Sequence, residues 1–373
     1  MHLLAAAALA LSACSPDTPA APGSNKKLTI GPAAFNTSAA DSLPPARTAL
    51  AYMLADQPDR SGYAPFNHDL HHFAQVDIAL GQVHPYIARF GGPVISEITQ
   101  EVDMVTTFGS ATVQCSSPGP TRFLNEERSI VTCIDVINGT MVQNKFGVLV
   151  VAIGAGLSTP FAFATADQPT AASYRPDTSR SFSTGTQPML IERIGVGDWY
   201  VHLGTGNPQG SMFLVSSTDA NSVCVVGEWK NFGARVKCFN RTGVVADVPF
   251  KVLQMAHGRP DGYFGFAWAD QRSLTTSYTP ARSVYVNHGA PGTVHVVRNG
   301  VGTYTVDFTS PHVADIRGES VQVTPFGLAF AACAVVSETQ APAAVGTSHI
   351  AVVECRNEHE ALVDSRFNIT ILS

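Results

Sequence analysis

The chain has 373 residues, 45% hydrophobic and 14% charged, which is enough apolar material for sizeable cores and argues against wholesale disorder. Its net charge of −6 offers no basic face for a phosphate backbone, so nucleic acid is not expected as a partner. Past the first residues, no apolar stretch approaches the roughly 18 uninterrupted residues of a membrane-spanning helix.

Residues 1–14, Met1-His-Leu-Leu-Ala-Ala-Ala-Ala-Leu-Ala-Leu-Ser-Ala-Cys14, form a short apolar run that ends in small residues before a cysteine, the pattern of an export signal. Leu11-Ser12-Ala13-Cys14 resembles the lipobox of bacterial lipoproteins. The resemblance implies that Cys14 is diacylated, becomes the mature N-terminus and anchors the protein to a membrane of the cell envelope or cell surface. Ser15 after the cysteine is similar to lipoproteins sent to an outer membrane. The family's basic n-region is missing, with only His2 in its place, and a plain signal peptidase cut near Ala13 is the alternative. Residues 15–47 carry Pro16, Pro19, Pro22, Pro32, Pro44 and Pro45 among Ala, Ser, Gly and Asn without apolar periodicity, and read as a tether.

The remainder divides into three repeats, at 48–153, 160–256 and 262–373. Each opens on Ala-Asp-Gln followed by Tyr-x-Pro: Asp56 and Tyr63, Asp167 and Tyr174, Asp270 and Tyr278. A Gly-x-Gly turn then enters an alternating strand at Gly195–Leu203 and Gly300–Phe308, with a worn copy at Gly81–Phe90. Six cysteines follow two per repeat, and their first members recur every 109 residues, at Cys115, Cys224 and Cys333. Cys224 and Cys238 flank the turn-prone Lys230-Asn-Phe-Gly233 symmetrically, which makes them cross-strand partners with Cα atoms about 4.5–5.5 Å apart. By the same logic Cys115 pairs with Cys133 and Cys333 with Cys355. Pro118, Gly119, Pro120, Pro342 and Gly346 in the two longer copies are expected to extend only the turn. Each repeat ends in a strand around Phe146, Phe250 or Phe367. Seven or eight short strands per repeat predict an all-β protein of three tandem antiparallel β-sandwich, jelly-roll-like repeats, each with one internal disulfide.

These landmarks resemble a domain-sized β-rich repeat of exported bacterial proteins, from about Leu50 to the end. The later half is similar to the trimeric jelly-roll tip domains of phage tail fibres and complement-type proteins. Neither resemblance supplies catalytic residues. The short links between copies put successive repeats in contact, and the tip-domain likeness favours closure around a pseudo-threefold axis over a linear stack.

Among candidate sites, His68, Asp69 and His72 in Asn67-His-Asp-Leu-His-His72 are the one dense cluster of metal-ligand types, but adjacent His71 and His72 point to opposite faces of a strand and the other repeats carry no histidine there. No cofactor is expected. Asp56, Asp167 and Asp270 are candidate ligand carboxylates, with a turn-capping role as the structural reading. Trp199, Trp229 and Trp268 are placed in cores by their alternation. No Gly-x-Ser-x-Gly, His-Glu-x-x-His or phosphate loop occurs. The expectation is an exported, lipid-anchored, non-catalytic binding or adhesion module for a carbohydrate or a protein. A structural envelope protein and a hydrolase with a site between repeats are the alternatives.

Overall fold

The computed structural model describes residues 49–65, 68–71, 75–80, 85–91, 98–123, 126–153, 161–206, 211–230, 232–256, 263–287, 290–310, 320–342 and 346–372. Cys14, the tether and His72 lie outside them, as do the side chains of His68 and Asp69.

Every element among the described residues is a strand, nine to a repeat. The first repeat has β1 (Ala49–Ala55), β2 (His68–His71), β3 (Gln75–Leu80), β4 (Tyr86–Gly91), β5 (Gln100–Phe108), β6 (Val113–Ser116), β7 (Pro120–Phe123), β8 (Glu126–Asp135) and β9 (Lys145–Ile153). The second has β10 (Phe161–Ala166), β11 (Ser173–Tyr174), β12 (Phe182–Ser183), β13 (Leu190–Gly195), β14 (Asp198–His202), β15 (Ser211–Ser217), β16 (Ser222–Lys230), β17 (Gly233–Asn240) and β18 (Phe250–Ala256). The third has β19 (Tyr263–Ala269), β20 (Ser283–Asn287), β21 (Ala290–Pro291), β22 (Thr293–Gly300), β23 (Thr303–Ser310), β24 (Ser320–Phe326), β25 (Ala332–Pro342), β26 (Thr347–Arg356) and β27 (Arg366–Leu372).

Each repeat is a sandwich of two antiparallel sheets. The inner sheets run β2-β1-β9-β5, β12-β10-β18-β15 and β21-β20-β19-β27-β24; the outer ones run β3-β4-β8-β6 with β7 on β8, β11-β13-β14-β17-β16 and β22-β23-β26-β25. Outer strands away from the joints follow period two most cleanly: along β4 and β23 half-buried and buried residues alternate from end to end. Inner strands break this rule. All six residues of β10, Phe161-Ala-Phe-Ala-Thr-Ala166, and all seven of β15 and of β24 are buried. Their second face is covered by the neighbouring repeats, which removes the need for a polar side.

The landmarks now have physical roles. Phe146, Phe250 and Phe367 each pack on the aromatic that enters the outer sheet, with Tyr86, Trp199 and Tyr304 at ring-centroid distances of 4.9, 5.1 and 5.2 Å. The hydroxyl of the Tyr-x-Pro tyrosine accepts from the main-chain N–H of the Ala-Asp-Gln glutamine: Gln57 to Tyr63 at 3.0 Å, Gln168 to Tyr174 at 3.3 Å and Gln271 to Tyr278 at 3.2 Å. That bond closes the corner leaving the first strand of each repeat.

The three disulfides pair as the spacing requires, Cys115–Cys133, Cys224–Cys238 and Cys333–Cys355. Their Cα atoms are only 4.0, 4.1 and 4.1 Å apart, tighter than the ordinary cross-strand spacing. The extra residues of the longer copies do not merely lengthen the turn. Pro120 pairs with Ser129 at the start of β7, and Pro342 pairs with Thr347 at the end of β25, so the hairpins themselves are longer. Proline is tolerated at these strand ends, where its missing N–H breaks no interior ladder.

The repeats close on themselves. The end of β5 in the first repeat joins β25 of the third through a parallel bridge, Phe108 to Val335, with Gly109 N donating to Val335 O at 2.8 Å. The end of β24 in the third joins β16 of the second in the same way, Phe326 to Val226, with Gly327 N donating to Val226 O at 2.8 Å. Strands β5, β15 and β24 all touch one another, so the first and third copies meet, and the described residues form one compact unit. A linear stack would keep those two copies apart; the closed arrangement is the one observed.

Candidate functional site

The meeting point of the three repeats is the first place to look for a ligand. It holds a cavity of about 30 Å³, lined by Thr106 and Thr107, Ser216 and Ser217, Val323 and Pro325. That is room for a water or two and no more. Across it, Thr106 Oγ1 donates to Gln322 Oε1 at 2.7 Å and accepts from Val323 N at 3.2 Å, while Thr324 Oγ1 accepts from Val215 N at 3.2 Å. The polar groups here tie repeats together.

Asp56, Asp167 and Asp270 sit just past the ends of β1, β10 and β19, each beside the tyrosine of its own corner. Burial, opposed in part by the glutamine N–H, pushes the Tyr63 and Tyr174 hydroxyls up to about 12, and the neighbouring aspartate charge adds to the rise. Tyr278 is raised for the same reasons. The three carboxylates lie on three separate corners, and among the described residues no group of three or more metal-ligand side chains comes together.

A different surface collects chemistry. On the outer sheet of the second repeat, Glu192, Tyr200, His202 and Lys230 line an open hollow of about 620 Å³. Register places them: Glu192 lies opposite Tyr200 on the β13–β14 pair, and Lys230 ends the neighbouring hairpin opposite Gly233. His202 Nε2 is 2.7 Å from Glu192 Oε2, and the Tyr200 ring stands edge-on to the imidazole with centroids 4.3 Å apart. Lys230 Nζ lies 5.3 Å from the Tyr200 ring centroid and 3.0 Å from Glu228 Oε1. Partial burial, followed by the Glu228 and Glu192 charges, pushes the Tyr200 hydroxyl up to about 12, so it stays a donor at any physiological pH. The hollow therefore combines an ammonium, a phenol, an imidazole, one carboxylate and aromatic surface. Repetition hid it from the sequence: the corresponding positions are Val297, Thr305 and Asp307 in the third copy and Ala79, Ile87 and Arg89 in the first.

Trp199 is fully buried, as its alternation required. Trp229 and Trp268 pack 5.1 Å apart against Phe326, with the Arg282 guanidinium over Trp229 at 4.7 Å, so they fill the joint between the second and third repeats and are unavailable for stacking on a sugar.

The joint between the second and first repeats is built differently. Position by position along the equivalent pairs β5–β9, β15–β18 and β24–β27, Thr218 replaces Phe108 and Phe326, and Lys251 replaces Gly147 and Asn368. Two places beyond the first cysteine, Ser117 stands where the other copies have Val226 and Val335. No strand bridge joins β15 to β6 among the described residues. Lys251, fully buried, reaches across instead, with Nζ 2.5 Å from Asp103 Oδ1 and 2.8 Å from Ser117 O. Burial pulls the ammonium below its ordinary pKa, against the favourable charge of Asp103. Nearby Glu127 is also fully buried; burial, then Glu101 and more weakly Asp103, pushes its carboxyl up to about 10, against the Arg122 charge.

Compared with protein-family models, curated proteins and solved structures, the chain matches none.

Proposed function

We propose that the protein is an exported, lipid-anchored surface protein that binds a carbohydrate, without catalysis, in the hollow formed by Glu192, Tyr200, His202 and Lys230. The observation that carries this reading is the composition of the hollow: hydrogen-bond donors and acceptors of both charges around an aromatic pair, on a rigid sheet and open to solvent. Such a set suits a polyhydroxyl ligand, whose hydroxyls both donate and accept. The Cys14 lipobox supports the anchor, and three disulfides are consistent with an oxidising compartment. In this reading Asp56, Asp167 and Asp270 support the tyrosine corners and are not ligand groups.

Glycan-array binding by the full chain tests the reading, with Tyr200→Ala and His202→Ala variants beside it. Loss of binding by tenfold or more, about 1.4 kcal/mol, with unchanged melting is the expected result. An array on which the wild type binds nothing overturns it and favours the structural envelope protein, which three mutually contacting repeats would also suit.

A further inference from the structure

The third joint carries chemistry that a resting ion pair does not need. Lys251 and Asp103 are both fully buried, and they come from different repeats, 148 residues apart. Taking two charges out of water costs several kcal/mol per ion, and good geometry with every remaining lone pair and proton satisfied is needed to offset it. That condition is unmet. Among the described residues Asp103 Oδ2 has no hydrogen-bond partner, and the ammonium, with three protons, faces two acceptors, Asp103 Oδ1 and Ser117 O. Among the described residues both oxygens of buried Glu127 likewise lack a hydrogen-bond partner, and Arg122, which bonds Glu101 two places from Asp103 on β5, holds its Nε 3.6 Å from Glu127 Oε2.

An amide has fewer demands. Joined to Asp103, the Lys251 nitrogen keeps a single hydrogen, and Ser117 O already stands at 2.8 Å to accept it. Both buried charges disappear. The approach is short as well: a nitrogen 2.5 Å from Oδ1 is at most about 3.7 Å from Cγ, close to the roughly 3–3.5 Å of a near-attack geometry.

We propose that Lys251 and Asp103 condense into an isopeptide bond that covalently joins the second repeat to the first, with Glu127 as the proton-transferring group. The ammonium first passes a proton to the Asp103 carboxylate, leaving a neutral amine and a carboxylic acid. The amine lone pair adds to Cγ. The tetrahedral centre then breaks its C–OH bond, with a proton from the Glu127 carboxyl, and one water leaves. Glu127 recovers its proton from the new C–N nitrogen, so it is unchanged at the end and no oxidant or other reactant is consumed. Burial suits each participant to its part: the lysine is biased toward the amine and Glu127 is held in the acid form.

Peptide mapping of the reduced and alkylated full chain decides the matter, independently of sugar binding. The expected product is a branched peptide in which trypsin has not cut after Lys251, joined to the peptide that holds Asp103 and lighter by one water than the two together. Asp103→Ala should give only linear peptides, and Glu127→Gln should give at least tenfold less branched product. If the wild type yields only linear peptides cut after Lys251, the bond does not exist; if Glu127→Gln branches as fully as the wild type, Glu127 has no part in forming it.

Discussion

Two of the three joints between repeats carry a main-chain strand bridge and one is made by side chains, Lys251 at its centre, although all three are assembled from equivalent strands. Where Val335 O and Val226 O receive the N–H of Gly109 and Gly327, Ser117 O receives the Lys251 ammonium. Both glycines have positive φ, +86° and +148°, which lets the chain turn away at once after the bridge. The equivalent place in the second repeat is Asp219, whose N–H is taken by Ser217 Oγ instead. Without that strand bridge the carbonyl needed another donor, and a buried lysine with its own counter-charge fills the place. The same fold thus accepts an apolar strand joint or a polar side-chain joint, and the polar one carries the unsatisfied atoms.

Breaking the polar joint should have the largest effect. Lys251→Ala leaves Asp103 buried and unpaired, and should cost roughly 3–5 kcal/mol in denaturant unfolding. Replacing both partners, with Lys251→Met and Asp103→Leu, should recover the part of that loss that comes from the stranded charge and leave the part that comes from the missing covalent link. A single substitution as mild as the double one would mean that the pair contributes nothing at the joint. At the joint between the first and third repeats, Thr106→Val strands Gln322 Oε1 and Val323 N, at a cost of about 1–3 kcal/mol.

A smaller contrast separates the first repeat from the other two. Arg193 and Arg298 hold Asp247 and Asp364 in two-point ion pairs, and each aspartate also accepts from a turn glycine, Gly197 or Gly302. The first repeat has Leu80 and Gln143 at these places, so it lacks both partners together. The guanidinium lowers the pKa of Asp247 and of Asp364 below the ordinary carboxylate value. Such a group adds stability above its unfolded pKa and loses it as pH falls through the folded one. Asp364→Asn should therefore lower the melting temperature slightly at neutral pH, since the pair is largely solvated, and the gap to wild type should close in acid. A gap independent of pH would assign the effect to shape alone. Glu127 has the opposite sign. Its raised pKa makes it destabilising as pH climbs from about 4.5 toward 10, so Glu127→Gln should flatten the stability profile over that window.

The repeats were legible because their landmarks serve every copy: cysteine spacing fixed the hairpins, and the period-two aromatics marked the outer strands. The role of Tyr63, Tyr174 and Tyr278 was not, since a hydroxyl accepting a main-chain N–H leaves only a recurring tyrosine in the sequence. Lys251 and Asp103 were invisible for a stronger reason. They occur in one copy each, 148 residues apart, and only ring closure brings them together. The hollow around Tyr200 was not legible for a similar reason: Glu192 and His202 differ in type from Val297 and Asp307 at the corresponding places of the third copy, so no recurrence marks them. Pro120 and Pro342 misled as turn markers because their strand ends do not need the missing N–H.

Closure of the ring is tested most directly by hydrogen exchange at the Gly109 amide, resolved by NMR in the full chain. Held by Val335 O of the third repeat, this N–H should exchange only through global unfolding, as slowly as the Val148 amide in the interior of β9. In a chain whose first and third repeats do not meet, Gly109 begins a turn with no acceptor, and exchange at the rate of an unprotected amide would contradict the closed ring.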